Sequence, residues 1–140
     1  FFAVFSTAQA EIGKRVEKAA LSTDDLWDQL IMGVRAFLAA SSDPVLQQIV
    51  VIDGPAVLKW ETVRQVDENL EGGSLSLLKE CLSDLKEEKV IRDLPVSALA
   101  HLLSGAMDEA SVWIARSEDP AEALLQAQQT LEALLQALLI

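Results

Sequence analysis

Five residues of one helix-forming segment could do chemistry together. Ser97, His101, Ser104, Asp108 and Ser111 recur at intervals of three and four. At about 100° per residue they share one stripe of a helix. Serine, histidine and aspartate are the residue types of a nucleophile–base–orienter relay. The spacing argues against one. His101 and Asp108 are seven residues apart, about 10.5 Å along a helix axis, too far for a direct hydrogen bond. No Gly-x-Ser-x-Gly turn surrounds Ser104. The chain therefore reads as no enzyme. The stripe is either a solvated face or a polar seam in a pocket wall or subunit interface.

Metal and redox chemistry have little to work with. Cys81 and His101 are the only soft ligands, and one cysteine cannot form an internal disulfide. No metal site and no cofactor are expected, and Cys81 reads as an inert core thiol. Ligand binding is better provided for. Trp27, Phe37, Trp60, Met107 and Trp113 are the large or adaptable apolar side chains that could line a cavity, beside Glu109. Glu109 falls at the edge of an apolar face, where a carboxylate must be paired, hydrated or neutralised. It could meet a ligand cation or hydroxyl. Each of these residues could equally be core.

The elements that must position them read as helices with short breaks. The first covers about residues 1–20, with Phe5, Ala8, Ile12, Val16 and Ala19 as its stripe. The opening Phe1–Phe5 and Ala8-Gln9-Ala10 resemble the end of a signal peptide. The stripe runs straight through the supposed cleavage point, and no basic leader precedes it. Ser22 or Thr23 caps a second helix, striped by Leu26, Leu30, Val34, Phe37 and Leu38. Ser42-Asp43-Pro44 starts the next element. Its Ile49–Ile52 run has no partner strand elsewhere, so it reads as a short buried helix. Asp53-Gly54-Pro55 breaks it, with Asp53 as a cap, and opens a helix to about Leu70. Leu75, Leu78, Leu82 and Leu85 stripe a helix to about Lys89. Asp93-Leu94-Pro95 starts a long helix to about Ser117. Its apolar face is Leu99, Leu102, Leu103, Ala106, Ala110, Trp113 and Ile114, opposite the polar stripe. Glu118-Asp119-Pro120 turns into a last helix that runs to the end. The expected fold is all-α, about seven helices in one domain over residues 1–140.

The last helix is apolar over more than half its circumference. Leu124, Leu131 and Leu138 repeat every seven residues, with Leu134 and Leu135 between. Such a helix needs two partners: its own core and a second copy of the chain. Leu124, Leu131, Leu135 and Leu138 are the expected dimer contacts, in a four-helix bundle built from the last two helices of each copy.

Composition supports a folded domain of this kind. The 140 residues are 51% hydrophobic and 24% charged, and the chain carries a formal net charge of −11. Disorder is excluded by that apolar share. Twenty-two acids against eleven bases repel phosphate, so this chain does not itself grip nucleic acid. No apolar run is long enough to span a membrane.

Three segments carry a resemblance. Phe1-Phe2-Ala3-Val4-Phe5 resembles the helix that follows the helix-turn-helix of TetR-type transcriptional repressors. Val51-Ile52-Asp53-Gly54-Pro55-Ala56-Val57-Leu58-Lys59-Trp60 is similar to an LDGPAVLGW segment of one branch of that family. Leu99-Ala100-His101-Leu102-Leu103-Ser104-Gly105-Ala106-Met107-Asp108-Glu109-Ala110 resembles a LAHLLLGALNEAA stretch of the same branch, followed by the Asp119-Pro120 turn. Lys59 stands where Gly is common, and Asp108 where Asn is common. The resemblance implies the C-terminal, effector-binding domain of a bacterial, cytoplasmic regulator. Its implied partners are an unidentified small molecule, a second copy of the chain, and DNA only through an upstream domain. The first helix would then continue from that domain, and a chain opening on Phe1 would begin inside it. The alternative is a homodimeric helical interaction module with no small-molecule ligand.

Overall fold

The computed structural model describes residues 1–70 and 72–140. Seven helical units follow one another: α1 (Phe2–Ala20), α2 (Leu26–Ser41), a segmented third unit, then α5 (Trp60–Asn69), α6 (Ser74–Glu87), α7 (Val96–Ala115) and α8 (Pro120–Leu135). The third unit consists of α3 (Pro44–Leu46), a π-helical stretch Gln47–Asp53, and α4 (Gly54–Val57). Among the described residues no helix is long and apolar enough to cross a membrane.

Aspartate caps set three of the helix starts. Asp25, rather than Ser22 or Thr23, caps α2: its carboxylate accepts from the Asp28 N–H at 2.9 Å. Thr23 Oγ1 instead accepts from the Asp25 N–H. Asp43 caps α3 through the N–H groups of Val45 and Leu46, with Pro44 in the first turn, where its missing donor costs nothing. Asp119 caps α8 in the same way, followed by Pro120. Each cap satisfies donors that a helix start leaves orphaned.

The break in the third unit is not where sequence places it. Asp53 is helical and caps nothing; its carboxylate accepts from the Gln48 side-chain amide instead. The chain absorbs Pro55 by widening the preceding turn, so that the Gly54 N–H reaches back five residues to Ile49 O. Extended backbone at Leu58 and Lys59 is the true break. The Ile49–Ile52 run is helical but only half-buried, and Ile52 is exposed.

Gly54 is fixed by close approach. A Cβ there would lie 2.5 Å from the fully buried Phe5 ring and 3.1 Å from Ile49 O. Its backbone is ordinary right-handed helix, so Gly54→Ala carries no conformational strain. Overpacking alone should cost about 1–3 kcal/mol. A thermal melt reads this as a lowered midpoint; an unchanged midpoint would show that Phe5 repacks freely.

The core lies between α1, α2, α6, α7 and α8. Ile12, Leu38, Leu82, Leu85 and Leu135 are almost wholly buried in it. The last helix stops at Leu135, short of the chain end, and a 3₁₀ turn Gln136–Leu138 follows. The final residues then pair with the α6–α7 connection: Arg92 N–H donates to Leu138 O at 2.8 Å, and Ile140 N–H to Val90 O.

α7 is rolled partway from expectation: Leu99, Leu103 and Ala110 pack against the core and Ile114 is buried, as expected, and Ser97 stays exposed, but other positions differ. Leu102 is 74% exposed and Trp113 49%, with Ala106 and Glu109 also outward. Ser104 and Ser111 are buried beside Ala100, Met107 and Ile114. Within the polar stripe Asp108 and Ser111 border a cavity, and Arg64 of α5 bonds Ser104 and Asp108.

Leu131 and Leu135 likewise face this chain's own core, so their side chains are not free to meet a second copy. Leu124 and Leu138 are half-buried against that core. The outward apolar residues of the last two helices are Leu102, Trp113, Leu125 and Leu134.

Candidate ligand cavities

Two cavities meet at Phe37. The larger, about 180 Å³, lies between α1, α2 and α6. Val16, Leu30, Val34, Leu77, Leu78 and Met107 form its apolar wall, with Glu17, Glu80 and Asp84 around it. The smaller, about 50 Å³, lies between α1, α2, the third unit, α5 and α7. Val50, Val51 and Val63 line it on the apolar side, and Gln9, Ser41, Asp67, Asp108 and Ser111 on the polar side. A cavity of about 150 Å³ holds a benzene-sized molecule. The first therefore has room for a small organic body, the second for a head group.

Charge gathers at the smaller cavity. Arg64 Nη1 donates to Asp108 Oδ2 at 3.0 Å, Asp67 Oδ2 at 3.2 Å and Ser104 Oγ at 3.4 Å. Its guanidinium also lies 5.8 Å from the Trp60 ring centroid, a cation–π distance. One guanidinium thus serves two carboxylates. Burial pushes the Asp108 carboxyl up to about 7; Asp67 pushes it the same way and Arg64 opposes both. Burial also raises Asp67, against Arg64. Glu68 raises Asp67 further, and His101 and Lys79 lower it. His101 sits at the rim, its Nδ1 2.8 Å from Ser97 O and its Nε2 3.3 Å from Glu68 Oε1. Neither His101 contact involves Ser104 or Asp108, so no relay forms along the stripe.

The residues read from sequence as cavity lining are divided. Phe37 stands between both cavities and Met107 borders the larger. Trp60 borders the smaller while 58% exposed, as a flap. Trp27 packs against the core edge. Glu109 and Trp113 lie on the outward face of α7 and line neither cavity. Sequence reading overlooked Gln9, Ser41, Arg64 and Asp67. Gln9 and Ser41 carried a signal: each is a polar residue on an apolar helical stripe, Phe5-Gln9-Ile12-Val16 and Leu30-Val34-Phe37-Ser41. Arg64 and Asp67 carried none beyond a three-residue spacing.

Cys81 is chemically quiet. Burial pushes its thiol up to about 11, so it stays protonated and a poor nucleophile. Among the described residues no cluster of histidine, cysteine and carboxylates could hold a metal ion.

This bundle, with a long first helix against a cavity and two outward helices at the end, is matched elsewhere. The family model of the tetracyclin repressor-like C-terminal domain matches residues 27–138. The chain belongs to that family. A TetR-family transcriptional regulator from Pectobacterium atrosepticum, known from a crystal structure, superposes on this TetR-type domain with a TM-score of 0.85. The two are 28% identical; the match covers 99% of this chain and 69% of the other. No curated protein matches the sequence. The fold and the regulatory family expected from the three resembling segments are therefore established.

Proposed function

We propose that this TetR-type domain is the effector-binding and dimerisation part of a transcriptional regulator, and that a small molecule seated at Phe37 moves α1. One observation carries the reading: α1 supplies wall to both cavities, Gln9 to the smaller and Val16, Glu17 and Ala20 to the larger. A ligand in either one bears on that helix. In such a regulator α1 leads from the DNA-binding helices. Two copies joined through α7 and α8 would then hold those helices at a spacing that must match half-sites about 34–36 Å apart. A ligand that prefers the mismatched spacing is in turn released by DNA.

The outward Leu102, Trp113, Leu125 and Leu134 support the homodimer, since an apolar patch on the last two helices needs cover. The acidic net charge suits a domain that reads ligand and leaves DNA to another part of the regulator.

A built-in ligand mimic tests the coupling. Gly33 lines the larger cavity, and a Cβ there would lie 3.5 Å from the Val16 side chain. Gly33→Met should fill the space and push α1. With spin labels at Lys14→Cys in a Cys81→Ala background, the distance between the two α1 helices of the dimer should change by about 2 Å or more, the scale of allosteric helix shifts. A folded dimer with an unchanged distance would overturn the coupling, and a monomer at micromolar concentration would overturn the dimer.

A further inference from the structure

We propose that the smaller cavity, between Gln9, Asp67 and Asp108, is the head-group site for an organic cation: a protonated amine carried on an apolar body. This rests on the effector-domain reading and names the ligand class.

Three observations point there independently. The first is charge count. Asp67 and Asp108 both line the cavity, only the Oδ2 of each meets Arg64, and Arg64 itself is not part of the lining. With both carboxylates ionised the cluster holds one negative charge too many, which a cation or a proton must neutralise. The second is Gln9. It is 8% exposed, it lines the cavity, and among the described residues its side-chain amide has no hydrogen-bond partner. Among the described residues no sealed side-chain polar atom lacks a partner, so the Gln9 amide opens onto the space of the cavity it lines, where a ligand can meet it. The third is the surrounding surface. Phe37, Val50, Val51 and Val63 provide apolar wall, and the Trp60 flap presents an aromatic face, which attracts cations. Neither cavity has a basic side chain in its described lining.

The small volume limits the site to the head group, so the apolar body leaves past Trp60. Asp108, pushed up to about 7 by burial and by Asp67 against Arg64, ionises as pH rises through neutral, while an aliphatic amine keeps its proton there. Binding should therefore strengthen as pH rises through the neutral range. The charged groups facing Asp108 and Asp67 are Arg64, Glu68, His101 and Lys79; α1 and α2 add only Gln9, Phe37 and Ser41 to the lining.

Three probes of one shape test this at pH 8: 2-phenylethylammonium, 2-phenylethanol and 3-phenylpropionate. Nuclear magnetic resonance of the labelled chain reads the site through the Gln9 side-chain amide and the Trp60 indole N–H. The amine should bind at least about tenfold more tightly than the alcohol, as a charge-assisted hydrogen bond predicts, and the carboxylate weakest. Asp108→Asn, which keeps the shape, should bring the amine to the level of the alcohol. An amine no tighter than the alcohol, or one whose preference survives Asp108→Asn, overturns the proposal. If the alcohol or carboxylate binds here instead, the cation falls and the effector-domain reading stands. If no probe shifts Gln9 or Trp60 at millimolar concentration, the head-group site falls. The effector-domain reading falls with it only if Gly33→Met also leaves α1 in place.

Discussion

Leu135→Glu should unfold the chain, whereas Leu134→Glu, at the preceding residue, should leave it folded and split the proposed dimer. The difference is one of direction. Leu135 is 1% exposed in the core, while Leu134 is 66% exposed on the other side of α8. A carboxylate forced into the Leu135 site has no partner and loses its hydration, at a cost of about 4 kcal/mol or more. That is a large share of the roughly 5–15 kcal/mol that holds a domain together. At Leu134 the same change costs the lone chain about 0.5 kcal/mol or less. In the proposed dimer it would set two carboxylates into one apolar seam with Leu102, Trp113 and Leu125. Circular dichroism should show Leu135→Glu unfolded and Leu134→Glu melting near the parent. Sedimentation at micromolar concentration should show Leu134→Glu as monomer. A folded dimer of Leu134→Glu combined with Leu102→Glu would place the interface elsewhere.

Removing Arg64 should be the costliest polar change, and pH should control the cost. Arg64, Asp67 and their bond are largely shielded from water, with Asp108 about a third exposed. Arg64→Met keeps the side-chain length and leaves two carboxylates without their cation. Breaking a shielded pair of this kind costs about 3–5 kcal/mol when fully buried, and about 2–4 kcal/mol here because water reaches Asp108. The loss should be full at pH 8 and much smaller at pH 5. Asp108 in the folded chain takes its proton near 7, against an ordinary value of 3.8. A folded-state value above the unfolded one means that the folded chain binds more protons between them. The contribution of Asp108 to stability is thus greatest below about 4 and is lost as pH rises through about 7. Asp67 moves in the same direction. In the parent chain, Asp108→Asn should flatten this slope and raise the melting midpoint at pH 8. Urea unfolding at both pH values measures both effects. An Arg64→Met loss equal at pH 5 and pH 8 would remove the charge account.

Much of the fold was legible along the chain. Apolar stripes, aspartate caps and prolines at first turns act within four or five residues, so the helices and most of their starts could be read locally. The misplaced features share another cause. Asp53 looked like a cap because the widened turn that absorbs Pro55 depends on a gap filled by Phe5, nearly fifty positions away. Leu131 and Leu135 looked like interface because a helix apolar on most sides does not say which side its own core claims.

Sequence by itself determined that this chain is a helical bundle with a strongly apolar last helix, and it offered Trp27, Phe37, Trp60, Met107, Glu109 and Trp113 as cavity lining, of which Phe37, Trp60 and Met107 border one. Only the tertiary structure decided which residues of each α7 stripe face inward. Both stripes satisfy helical periodicity, and the choice lies with Arg64, brought from α5 by forty residues of intervening chain. A guanidinium behind Ser104 and Asp108 makes their burial tolerable, and Leu102 and Trp113 are left to find their cover outside. The same packing placed Gln9 against a space in which it has no partner, because hydrogen-bond satisfaction depends on what stands opposite and not on what comes next in the chain.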